Sequence, residues 1–231
     1  MAVNLSELKE KLVAKNYDPL KVGKFIAYIS GETSKNNNTV LRHSQADLYN
    51  LFVKYYNVGT NLDGVNVVLT GQNMGLITFH GFMNKVKSVH PEVFFDVQLI
   101  RGDDTFSFSK ESGSVVYSHQ IKNPFGDDEI KGAYCVVKLN NENKDESLEL
   151  LNQRDFFEMK KSSRMSRTWD NWPTEFWRKS VIKRACKIYF SEEISELEKI
   201  DNEDYGLEDE KATDEQKEAI LKAHAKSSTE V

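Results

Sequence analysis

The stretch Val65-Asn-Val-Val-Leu-Thr-Gly-Gln-Asn-Met-Gly-Leu-Ile-Thr-Phe-His-Gly81 is where the period of the chain changes. Val65, Val67 and Leu69 alternate with Asn66, Val68 and Thr70. Gly71-Gln72-Asn73-Met74-Gly75 then supplies turn residues, and Ile77 and Phe79 alternate on the return. A period of two on both sides of a glycine-bounded turn predicts a β-hairpin. Gly81 ends it, and residues 82–89 read as a short helix before His90-Pro91.

Upstream the period is that of helices. Asn4 and Glu7 have capping-box spacing ahead of Leu5, Leu8 and Leu12. Asp18-Pro19 reads as N-cap and first helical residue, Val22, Phe25, Ile26 and Ile29 share a stripe, and Gly31 is the expected terminator. A polar loop over residues 34–39 leads to Ser44, the expected cap of a third helix. There Leu48, Leu51, Phe52, Tyr55 and Tyr56 recur at helical spacing up to Gly59. Downstream the period of two returns. Val93, Phe95, Val97 and Leu99 alternate toward a tight Gly102-Asp103-Asp104 turn and a partner strand with Phe106 and Phe108, and further strands are expected at 115–119 and 132–139. Residues 140–147 read as a turn or loop and 153–161 as a helix. The expected fold is therefore α+β: an antiparallel β-sheet flanked by helices, with N-terminal helices, a C-terminal basic helix and an acidic tail.

Composition narrows the class. The 231 residues are 39% hydrophobic and 11% aromatic, with no apolar run near the roughly 18 residues a membrane span needs, so a soluble protein is expected. The first residues lack the basic and apolar regions of a secretory signal, and the two cysteines, Cys135 and Cys186, sit among apolar residues without metal-like spacing. A reduced cytosol fits. The net charge of −5 hides a split: residues 191–231 carry 14 acidic and 5 basic side chains, a net of −9, whereas residues 1–190 carry 22 and 26, a net of +4. Two regions are expected, a core over 1–190 and an acidic, partly disordered tail over 191–231, with a weak helical stretch at 215–225.

The most informative segment runs Trp169-Asp-Asn-Trp172-Pro-Thr-Glu-Phe-Trp177-Arg-Lys-Ser-Val-Ile-Lys-Arg-Ala-Cys-Lys-Ile-Tyr-Phe190. On a helical wheel Trp177, Val181, Ala185 and Ile188 fall in one arc and are expected in the core. Lys179, Lys183, Arg184 and Lys187 occupy the opposite arc with Phe176, and Arg178 lies at the stripe's edge. Cations on one face with an aromatic ring nearby suit a single-strand binding groove, where each cation neutralises a phosphate and rings stack on bases. A merely solvated basic face would give the same wheel.

This segment resembles the RecT family of phage single-strand annealing proteins, in which a tryptophan precedes a helix reading roughly Lys-Thr-x-Ile-Lys/Arg-Lys/Arg; here it is Lys179-Ser180-Val181-Ile182-Lys183-Arg184. Three further motifs are similar and in order: Ile77-Thr-Phe-His-Gly81-Phe82-Met-Asn-Lys85, then Gly102-Asp103-Asp104-Thr105-Phe106, then Gly132-Ala-Tyr134. The likeness spans about residues 44–190. It departs at Phe176-Trp177, where the family has an acidic residue and methionine, and at Gly59-Thr-Asn-Leu62, where it has Gly-Leu-x-Pro.

The resemblance implies single-stranded DNA binding and annealing of complementary strands in homologous recombination, without ATP, by a phage or prophage protein in the bacterial host cytoplasm. It implies backbone contacts from Lys179, Lys183 and Arg184, with Lys85 and Lys87 as weaker candidates; the wheel adds Arg178 and Lys187. It also implies homo-oligomers, as rings or filaments, bound to single strands and to the annealed duplex. A partner exonuclease or single-strand binding protein is implied at the tail, which could equally shield the basic face or simply keep the protein soluble. No cofactor is expected, apart from Mg2+ modulating annealing, and no covalent chemistry. The only Gly-Lys pair, Gly23-Lys24, lacks the phosphate-loop pattern. Two rival readings remain: a metal-dependent nuclease on Asp96, Asp103 and Asp104, with Glu111 a further possible ligand, and a DNA-binding scaffold that does not anneal. His80, His90 and His119 are read as structural or surface residues. Trp169 and Trp172 are read as packing anchors at the groove rim, with base stacking as the alternative.

Overall fold

In the computed structural model, which describes residues 3–35, 43–71, 74–111, 114–126, 128–139, 146–163 and 166–205, three capped helices precede the first strand. Helix α1 (Leu5–Ala14) begins where Asn4 Oδ1 accepts the Glu7 N–H at 3.2 Å. Helix α2 (Pro19–Ser34) begins where Asp18 Oδ1 accepts the Leu20 N–H at 2.8 Å. Helix α3 (Gln45–Asn57) has a full capping box: the Asp47 N–H donates to Ser44 Oγ at 3.1 Å, and the Ser44 N–H donates to Asp47 Oδ2 at 2.8 Å. Such caps contribute about 1 kcal/mol each. Gly59, at φ +78°, follows α3 as the sequence suggests. Gly31 does not end α2, because it keeps an ordinary helical φ and the chain continues to Ser34. Leu8, Leu12, Val22, Phe25, Ile29, Leu48, Phe52 and Tyr55 form the buried seam between these helices.

Strands β1 (Val67–Gly71) and β2 (Met74–Ile77) pair antiparallel, Val67 opposite Ile77. The expected turn includes residues 72 and 73, which lie outside the described residues, as do residues 36–39 of the expected polar loop. The return strand is shorter than its alternation suggested, because Thr78 caps a helix: its Oγ1 accepts the Gly81 N–H at 3.2 Å and starts α4 (Phe79–Lys87). Phe79 is thus helical, and Gly81 sits inside the first turn of α4 instead of breaking the hairpin. Glycine is required there because a β-carbon would stand 2.5 Å from the Asn66 carbonyl oxygen. Gly81→Ala is expected to force α4 off the hairpin and destabilise by about 1–3 kcal/mol, read as a lower midpoint in urea unfolding; an unchanged midpoint would mean the contact relaxes freely.

The main sheet has the order β3 (Phe94–Arg101), β6 (Ile130–Lys138), β7 (Glu146–Asn152), all antiparallel, with Val97 opposite Cys135 and Cys135 opposite Glu149. Strands β4 (Thr105–Glu111) and β5 (Ser114–Gln120) form a separate hairpin laid over it. Among the described residues the single sheet expected from sequence is therefore divided into three antiparallel sheets. Strand β7 was not expected: Glu-Ser-Leu-Glu-Leu-Leu-Asn is rich in helix formers, and pairing with β6 overrides that preference. Helices α5 (Gln153–Ser162), α6 (Ser166–Asn171), α7 (Pro173–Tyr189) and α8 (Ser191–Tyr205) complete the described chain.

Alternation along β6 divides the core. Ala133, Cys135 and Val137 face α7, which crosses the sheet, while Tyr134 and Val136 face the β4–β5 hairpin with Leu148. On its other side α7 meets α4 and α8. Helix α8 lies in the region read as a tail, yet its Ile194 and Leu197 are fully buried and pack into the main core. Residues 206–231, with the expected helical stretch at 215–225, lie outside the described residues, as do residues 140–145 of the expected loop.

Candidate nucleic-acid interface

Helix α7 is buried on two sides, which the wheel did not anticipate. Trp177, Val181 and Ala185 are in the core as expected, with the Trp177 ring stacked on Phe156 at 3.9 Å, but Ile188 is 55% exposed. Conversely Phe176 and Lys179, placed on the solvent arc, are buried. The reason is α8. It folds back along α7 and sets Asp201 between two lysines: Lys179 Nζ is 2.6 Å from Asp201 Oδ1, and Lys183 Nζ is 2.8 Å from Asp201 Oδ2 and 2.7 Å from Asn202 Oδ1. Both ammonium groups also stand 5.9 Å from the Phe82 ring centroid of α4. Burial pushes the Asp201 carboxyl up, but the charges of Lys179 and Lys183 outweigh this and hold it below the usual carboxylate value.

The other cations of α7 are paired nearer the surface. Arg184 Nε is 2.5 Å from Glu149 on β7 and its Nη1 is 3.0 Å from Asp155 on α5. Lys187 Nζ is 2.6 Å from Glu198 on α8. Arg178 makes a looser contact, 3.4 Å, with Glu175 one turn back. Lys85 and Lys87, on α4, carry no ion pair among the described residues. The seven cations named from sequence therefore divide by surroundings. Lys179 and Lys183 are enclosed, Arg184 and Lys187 are half-exposed and paired, and Arg178, Lys85 and Lys87 have the least internal compensation.

The Gly102-Asp103-Asp104 turn is a clamp. Asp104 accepts the backbone N–H groups of Arg101 at 2.8 Å and Lys122 at 3.1 Å, and its Oδ2 lies 3.1 Å from His119 Nε2, whose Nδ1 is 3.2 Å from the Tyr134 hydroxyl. This chain fastens the β4–β5 hairpin to β6. Burial pushes the Asp104 carboxyl up, and these donors more than offset it and hold the carboxyl below its usual value. Asp96 instead accepts from the Gln98 side chain. Among the described residues no three His, Cys, Asp or Glu side chains are grouped to hold a metal ion, so Asp96, Asp103 and Asp104 are not brought together as the nuclease reading required; the Glu111 side chain lies outside the described residues. His90 ties the segment after α4 to α8 through a 2.6 Å contact of Nε2 with Glu193, and His80 is an exposed ring tilted against Phe79.

Asp201 is the residue the sequence reading missed. A signal for it existed: Phe190, Ile194 and Leu197 recur at i, i+4 and i+7, and the next step of that stripe is Asp201. Among the described residues no helix is long and apolar enough to cross a membrane.

The model of the RecT family matches residues 54–220, from the end of α3 through α8. The chain belongs to the RecT family, whose members are annealing proteins. It matches no curated protein and no solved structure.

Proposed function

We propose that the protein binds single-stranded DNA and anneals complementary strands without ATP, in homologous recombination of a phage or prophage within the bacterial host cytoplasm. The observation that carries this reading is the family match across residues 54–220, which takes in the sheet, α7 and α8 together. Arg178, Lys85 and Lys87 are assigned to the DNA backbone as the protein stands. Arg184 and Lys187 are assigned to it by exchange of a carboxylate for a phosphate. Lys179 and Lys183, carried over from the family motif, act on DNA through the placement of α7 and α8. Backbone contacts make binding nearly sequence-independent and strongly dependent on salt. No cofactor takes part, and Mg2+ modulates annealing by screening phosphate repulsion. Rings or filaments of the chain hold the single strand and then the annealed duplex. A partner exonuclease or single-strand binding protein docks on residues beyond 205.

The test is the pairing of two complementary labelled oligonucleotides, without ATP, at two salt concentrations. Acceleration with both strands intact is expected. Lys85→Ala/Lys87→Ala/Arg178→Ala is expected to weaken single-strand binding uniformly across sequences. It should also flatten the dependence of log affinity on log salt by about 0.7 per cation removed. Binding without acceleration would leave a scaffold, and strand shortening on addition of magnesium would leave a nuclease.

A further inference from the structure

A groove of about 610 Å³ lies between α2, the β1–β2 hairpin and the junction of α6 with α7. That volume is within the roughly 300–1,000 Å³ usual for small-molecule sites. Its walls are aromatic to a degree the annealing reading has not used. Tyr28 lines one side and Phe79 another, with the exposed His80 ring tilted against Phe79 at a centroid separation of 4.0 Å and 33° between planes. Trp172 also lines it and is 63% exposed, whereas Trp169, three residues earlier, is 6% exposed and stacked on Phe176. Leaving an indole in water is unfavourable, and doing so beside a groove is what a stacking surface requires.

A polar group is present as well. Glu175, in the lining, offers a carboxylate as acceptor. Flat π faces with an acceptor beside them suit a planar heteroaromatic ring carrying a donor.

We propose that this groove receives an unpaired nucleobase of the bound strand, stacked against Trp172 and the Phe79–His80 pair. The proposal rests on the single-strand binding reading and adds a base-contacting subsite to the phosphate contacts named above. Stacking accepts any base, since each has a π face, so the subsite is compatible with sequence-independent binding.

The test compares two fluorescent probes of equal length and charge, an oligodeoxythymidine and an abasic oligomer, on the full-length protein by anisotropy. The wild type is expected to bind the base-bearing probe about tenfold more tightly. Trp172→Ala should bring that ratio close to one, Trp172→Phe should keep most of it, and His80→Ala should lower it in the same direction. Circular dichroism checks that each variant is folded. If the wild type binds both probes equally, or folded Trp172→Ala keeps the full preference, the subsite is overturned while strand binding stands. If the wild type binds neither probe, the annealing reading itself fails and the subsite fails with it.

Discussion

Asp201→Ala is expected to remove about 3–5 kcal/mol of folding stability, because it takes the carboxylate from a buried ion pair and leaves the charges of Lys179 and Lys183 behind. The side chains concerned are 3%, 7% and 12% exposed, so water cannot readily take over. Urea unfolding followed by circular dichroism measures the loss, and Asp201→Asn, of the same shape, isolates the charge. Lys179→Met/Lys183→Met/Asp201→Leu should recover most of the stability, since an apolar trio leaves no charge unmatched. A loss below about 1 kcal/mol for Asp201→Ala would show that solvent reaches the site. The pH dependence has a definite sign. The folded carboxyl is depressed from an ordinary value of 3.8, so its contribution is complete above that value and disappears as pH falls through the lower, folded one. Asp201→Asn should therefore flatten the acid side of the stability curve. One consequence concerns functional tests: Lys179→Ala/Lys183→Ala/Arg184→Ala deprives Asp201 of both partners, so lost annealing in that variant would report lost folding as readily as lost DNA contact.

Ending the chain at Phe190 is expected to abolish cooperative unfolding altogether. The cut removes Ile194 and Leu197, both fully buried, as well as Asp201. Large-to-small changes at such positions cost about 2–5 kcal/mol each, and whole domains are stable by only about 5–15 kcal/mol. A chain ending at Tyr205 keeps every contact of the described core and should unfold in one transition near that of the full chain. Thermal denaturation of the two truncations decides it. A cooperative transition in the 1–190 chain would make α8 an appendage, and the deletion that separates an annealing core from an adaptor tail could then start at Ser191. On the expected result it must start after Tyr205.

Local signals carried much of the fold. Asn4, Asp18 and Ser44 cap the helices they were expected to cap, and the alternation through Val97 marks a true strand. Where the reading failed, a partner distant in sequence decided the outcome. Strand β7 is held by β6 against its own helical preference, and Gly81 is dictated by the Asn66 carbonyl, which no local pattern reveals. That the cations of α7 share one helix was legible, but their environment was not. A wheel sorts α7 into apolar and basic arcs, but it cannot show that α8 returns with Asp201 and Glu198 to meet the basic one. The net charge of residues 191–231 pointed to solvation, and the short apolar stripe within that region was the weaker but structurally decisive signal.

The pairing of α7 also bears on how fast a strand can be caught. A cation matched by a carboxylate of its own within 3 Å, as Lys187 is, presents a dipole to a distant phosphate, and a dipole's field decays more steeply than a charge's. Beyond a Debye length of about 8 Å at physiological salt little of it survives. Lys179 and Lys183, by contrast, share Asp201 and keep one positive charge between them. Long-range attraction then falls to the charge left over on the Lys179–Lys183–Asp201 trio and to cations without a close carboxylate, such as Lys85 and Lys87, and the paired cations of the basic helix act only after encounter. Capture by such a surface is slow for one chain and rises with the number of chains a strand can touch at once, so local concentration along the strand, more than the charge of any single copy, sets the pace of pairing.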